Sequence, residues 1–66
     1  MISVVVNQVE RVFEGERLDA LLGELSLPPK GIAVAVNGEV VRRVDWASRR
    51  LADGDVVDVL TAAQGG

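Results

Sequence analysis

The chain of 66 residues closes on Thr61-Ala62-Ala63-Gln64-Gly65-Gly66. Glycine loses more backbone freedom on ordering than any other residue, and chain ends fray unless something ties them down. Such an ending reads as a frayed terminus, a shortened chain or a linker stub, or else the last carboxylate is itself the reacting group. The sequence contains no His, Cys or Tyr. It therefore lacks the commonest general base, the best side-chain nucleophile and the soft metal ligands. Carboxylates remain at Asp53, Asp55 and Asp58, around a turn and a strand where acids usually serve as solvated surface. "DGDVVD" lacks the longer oxygen-ligand pattern of a calcium loop. Self-contained catalysis is not expected, nor is a bound metal or cofactor.

The elements that must position these residues form one domain, 1–66, with a flexible tail over 61–66. Apolar residues make up 48% of the chain, a globular composition, although its length falls below the roughly 70–80 residues at which a single core stops being marginal. No apolar run approaches the ~18 residues of a membrane span, and "MISVVVNQVE" carries neither the basic segment nor the cleavage site of a signal peptide. The lack of cysteine fits a reducing cytoplasm. With a formal charge of −3 and 3% aromatic residues, the chain lacks the basic face and stacking platforms of a nucleic-acid binder. Arg42-Arg43 and Arg49-Arg50 read as solvated loop.

Hydrophobic periodicity supplies the order of elements. In "ISVVVN", Ile2, Val4 and Val6 share one face of a strand. Asn7-Gln8 makes a tight turn, since Asn tolerates positive φ, and "VERVF" returns as a second strand whose inward face the alternation does not decide. Leu18, Leu21, Leu22 and Leu25 then lay one apolar stripe along a short helix. Gly15-Glu16 opens it and sets an acid near the positive end of its dipole. Arg17 is a poor N-cap, and Pro28-Pro29 is expected to stop the helix. "GIAVAVNGEVV" returns to period two, with Ile32, Val34 and Val36 inward and Ala33 and Ala35 outward. Asn37-Gly38 is the strongest short hairpin signal. An irregular connection with a single helical turn near Trp46 follows, then a turn at Asp53-Gly54-Asp55. "VVDVL" forms the last strand, with Val57 and Val59 inward and Asp58 and Leu60 outward. The expected fold is α+β, a ubiquitin-like β-grasp in which one main helix covers a small mixed sheet and the first and last strands meet at its centre.

"VVVN", the helix "LDALLGEL", "GIAVAVNGEVV" and "DWASRRLADGDVVDVLTAAQGG" resemble the thiamine-biosynthesis sulfur carrier proteins, which are ubiquitin-like β-grasp proteins. The resemblance covers essentially the whole chain and is most specific in "VAVNGEVV" and in "LADGDVVDVLTAAQGG". Two residues depart from the family pattern: Arg42 stands near a frequent proline, and Arg17 replaces a small polar helix cap. Both touch loop and cap stability only.

The resemblance implies a non-enzyme that serves as a protein cosubstrate. The Gly66 carboxylate attacks the α-phosphate of ATP held by a partner adenylating enzyme. A persulfide sulfur donor then yields a thiocarboxylate, and a thiazole synthase uses that sulfur to build the thiazole ring of thiamine. Gly65 and Gln64 would help to thread the tail through a narrow channel. With no cysteine present, the terminal carboxyl is the evident group to carry sulfur covalently. The outward Leu60, with Ala33 and Ala35 facing the same way, forms a candidate partner-docking patch. Trp46 and the Leu18–Leu25 stripe read as packing, and Asp53 and Asp55 as turn chemistry. Three other readings stay open: the small subunit of molybdopterin synthase, a ubiquitin-like modifier joined to lysine, and an S4-type RNA-binding module, which shares the "VNG…DGDVV" cadence.

Overall fold

The computed structural model describes residues 1–27 and 31–61. Strands β1 (Ile2–Val6), β2 (Val9–Phe13), β3 (Ile32–Val36), β4 (Glu39–Val41) and β5 (Val56–Thr61) form one sheet in the order β2-β1-β5-β3-β4. Strand β1 lies parallel to β5, and every other neighbouring pair is antiparallel. Helix α1 (Leu18–Glu24) and a 3-10 turn at Arg43–Asp45 complete the β-grasp. The first and last strands meet at the centre, as the sequence predicts.

Alternation decides which side chains meet α1. Val4, Val6, Val34, Val36, Val57 and Val59 point from the sheet to Leu18, Leu21 and Leu22 in one core cluster. The three leucines fulfil the expected helical stripe, with Leu25 partly buried at its end. Burying a branched side chain of this kind contributes about 1.5–3 kcal/mol, so these contacts dominate the stability of so short a chain. In β2 only Phe13 is buried. Gly15 lies against its ring: a Cβ there would stand 2.6 Å from Phe13 Cζ. Trp46 packs beneath the crossing segment, and its indole N–H donates to the Val41 carbonyl at 3.0 Å.

Two boundaries differ from the sequence expectation, the end of the helix and the end of the last strand, while the helix start bears out Arg17 as a poor cap. The helix ends at Glu24, four residues before Pro28, because Ser26 turns into the left-handed region at φ 59°. Ser26 N–H then reaches the Gly23 carbonyl and Leu27 N–H the Leu22 carbonyl, both at 3.0 Å. That is a Schellman closure with serine where glycine is usual. Pro28 and Pro29 themselves lie outside the described residues. At the other end, Arg17 is the N-cap and makes no side-chain cap. Carbonyls of the crossing segment replace it: Leu18 N–H donates to Arg49 at 2.9 Å and Asp19 N–H to Trp46 at 3.1 Å. The orphan donors of a helix start are thus satisfied from far along the chain. Finally, β5 extends through Thr61, which pairs with Ile32, so the first residue of the expected tail belongs to the sheet.

Candidate functional site

Strand β5 carries the chain out of the middle of the sheet, and both of its edges are held by asparagine side chains. Asn7 and Gln8 take φ values of 49° and 72°, and Asn37 and Gly38 take 53° and 83°. Positive φ at both central residues is the geometry of a type I′ hairpin. In each turn the asparagine also continues the hydrogen-bond ladder onto β5. Val59 N–H donates to Asn7 Oδ1 at 2.8 Å, while Asn7 Nδ2 donates to the Val59 carbonyl at 3.2 Å. Val56 N–H donates to Asn37 Oδ1 at 2.9 Å, and Asn37 Nδ2 to Asp55 Oδ1 at 3.0 Å. The carboxamide imitates a peptide group where the backbone of β1 or β3 has already turned away.

The acids near the last strand divide by position. Asp53 Oδ1 accepts the Ser3 N–H at 2.8 Å. Asp55 Oδ2 accepts the Ala52 N–H at 2.8 Å, so both carboxylates stabilise the turn that launches β5. Among the described residues, no group of three or more potential metal ligands is assembled, and no helix is long and apolar enough to cross a membrane. Asp58 is different, being half-buried on the outward side of β5. Arg49 and Arg50 follow the 3-10 turn; Arg50 pairs with Glu16 just before the helix, and Arg49 with Glu39 at the start of β4.

The face of the sheet turned away from α1 is bare among the described residues. Leu60 is 68% exposed and stands directly opposite Ala33, while Asp58 stands opposite Ala35. The structure therefore brings Leu60, Ala33 and Ala35 together, as the alternation predicts. It adds Val40, 72% exposed and paired with Ala35, and Val56, paired with Val5. Sequence reasoning passed over these two, although the parity of "EVV" and "VVDVL" already put them on this side. A depression of about 510 Å³ opens beside Asp58 and Leu60, with Asn7, Gln8 and Ala35 on its walls. Gln64, Gly65 and Gly66, the predicted tail and reacting residues, lie outside the described residues.

The sequence model of the ThiS family matches residues 2–66. The sulfur carrier protein ThiS of Thermus thermophilus is 40% identical over 63 residues, covering 96% of this chain and 98% of that protein. A thiazole synthase of Paramagnetospirillum magneticum is 34% identical over 65 residues, which span 97% of this chain but 20% of that much longer protein. Among solved structures, the crystal structure of the thiamine biosynthesis protein ThiS from Geobacter metallireducens superposes with a TM-score of 0.83 at 28% identity, covering 98% of this chain and 100% of that one. Its solution structure gives 0.78 at 28% identity, with 98% and 88% coverage. The matching runs through the strand order and the last strand alike, and the chain belongs to the ThiS family, the sulfur carriers of thiamine biosynthesis.

Proposed function

We propose that the α-carboxylate of Gly66 is the group that carries the sulfur. A carboxylate oxygen is a poor leaving group, so the carboxyl must first be activated. It attacks the α-phosphorus of ATP on a partner adenylating enzyme, pyrophosphate departs, and an acyl-adenylate forms. Persulfide sulfur from a donor protein then replaces AMP on the carbonyl carbon. Cleavage of the S–S bond by a thiol leaves the thiocarboxylate, whose sulfur passes to a thiazole synthase. The carrier supplies no catalytic side chain; it presents an end of chain that enzymes can reach.

The observation that carries this reading is the family match through residue 66 of a chain without cysteine, joined to a tail rooted in the central strand. Thr61 is the last residue of β5, and the five residues after it can span at most roughly 17 Å. Glycine at positions 65 and 66 presents no Cβ to the walls of a narrow channel. The similarity to part of a thiazole synthase supports such an enzyme as the acceptor. On the same reading, Leu60, Ala33 and Ala35 form the face that docks on the adenylating enzyme, with Val40 widening it. Small alanines allow close approach, and Leu60 gives the patch an apolar anchor.

The test is ATP–pyrophosphate exchange with the cognate adenylating enzyme, using the full chain, a chain lacking Gly66 and one extended by a residue. Both altered chains are expected to melt like the parent and to lose exchange. Normal exchange by the extended chain would exclude the terminal carboxylate. Intact mass of the carrier isolated from its source should also reveal a species heavier by one oxygen-to-sulfur exchange, mapped to Gly66.

A further inference from the structure

Asp58 interrupts an otherwise apolar centre on the bare face. Around it stand Ala35 directly opposite, Leu60 and Ala33 toward the tail, and Val56 toward the start of the strand. Its side chain is half-buried. Among the described residues, it has neither an ion-pair partner nor a hydrogen-bond partner. Register places ten strand residues on this face, and only Glu10 and Asp58 among them are charged. Glu10 is already engaged, accepting the Ser3 hydroxyl at 2.7 Å. Among the ten strand residues of this face, the charges are negative alone.

A protein that covers Leu60 and Ala35 must also take Asp58 out of water. Burying a carboxylate with no partner is costly enough to forbid the complex. Any surface that docks here therefore has to bring a cation to that point. The depression beside Asp58 is walled by Leu60, Ala35 and the Asn7-Gln8 turn, with apolar lining for a side-chain stem and one carboxylate for its head. A guanidinium suits this better than an ammonium: it is less strongly hydrated and its planar fork meets a carboxylate with two donors. We infer that Asp58 is the specificity residue of the bare face, and that the protein docking there presents an arginine in an apolar surround. The pair acts mainly through discrimination, because a partner lacking the cation is left with a buried, unpaired carboxylate.

This inference rests on the docking role proposed for Leu60, and its test separates the two. Binding of the full-length carrier to the cognate adenylating enzyme is measured by calorimetry for the parent, Leu60→Glu, Asp58→Asn and Asp58→Glu. Thermal melts accompany each, and Asp58→Asn changes no volume at a surface position. Asp58→Asn is expected to weaken binding about thirtyfold or more, as for a charge left unpaired in an interface, and to flatten the salt dependence of affinity. Asp58→Glu should restore much of both. If Leu60→Glu weakens binding while Asp58→Asn binds as well as the parent or better, the face docks but no cation meets Asp58, and the inference is overturned. If Leu60→Glu binds normally, the docking role fails and this inference fails with it.

Discussion

The two faces of the sheet are made from alternate residues of the same strands, yet they differ in what they do. On β5, Val57 and Val59 are buried under α1 while Asp58 and Leu60, one residue away, face outward. The covered face is a continuous layer of branched aliphatic residues joined to Leu18, Leu21 and Leu22. The centre of the bare face is sparser, built from Ala33, Ala35, Val40, Val56 and Leu60 around the Asp58 carboxylate. Stability resides on the first, and recognition is the role proposed for the second. The bare face can therefore vary with little consequence for folding, because the period of two keeps the two sets of side chains apart.

The largest test of that division is Leu21→Ala. A buried leucine truncated to alanine costs about 2–5 kcal/mol, much of the ~5 kcal/mol or less available to so small a domain. Urea denaturation should show the midpoint fall steeply, and sulfur-carrier activity should vanish through unfolding; Val57→Ala should follow with a smaller loss. An unmoved midpoint for Leu21→Ala would mean that α1 does not close the core. Leu60→Glu should give the reverse pattern. Calorimetry with the adenylating enzyme is expected to show a loss of about 2 kcal/mol or more, while stability changes by no more than about 0.5 kcal/mol. If the melting temperature falls and binding does not, the roles of the two faces are exchanged.

The edges of β5 provide a finer comparison. Asn7→Ala removes two hydrogen bonds to β5, Asn37→Ala removes one to β5 and one to the Asp55 carboxylate, and each puts alanine at positive φ. Each should cost about 1–3 kcal/mol of stability. Amide exchange should separate them, with the Val59 N–H losing protection in the first variant and the Val56 N–H in the second. Equal protection of Val59 with and without the Asn7 carboxamide would dismiss that latch. The smallest effect belongs to Ser26→Gly, which removes a Cβ from a left-handed residue. It should raise stability by about 0.5 kcal/mol and leave binding unchanged, since the helix end touches the covered face alone.

Much of this was legible beforehand. The alternation in "IAVAV" and "VVDVL" put Ala33, Ala35 and Leu60 on one side, and the leucine stripe put α1 on the other. Both rest on local periods that the backbone imposes wherever the segment sits. The Asn-Gly turn was equally local. The helix stop was not: Pro28-Pro29 is a sufficient reason to end a helix, but Ser26 ends it earlier, because the closing bonds to Leu22 and Gly23 outweigh the strain of a serine at positive φ. Gly15 was legible as the entry to the helix, but its steric constraint was not, since that is the Phe13 ring lying against it.

By itself, then, the sequence determined the order of elements, the two faces of every strand but β2, and a set of side chains without His, Cys or Tyr. The tertiary structure decided what long-range partners alone can decide. It capped a helix whose own first residues could not cap it, through the Arg49 and Trp46 carbonyls. It turned two hairpin asparagines into latches on β5, and it left Asp58 without a described partner in the middle of an apolar face. Propensity and periodicity act over a few residues, whereas a hydrogen bond from Asn7 to Val59, 52 positions away, exists only once the first and last strands have come together.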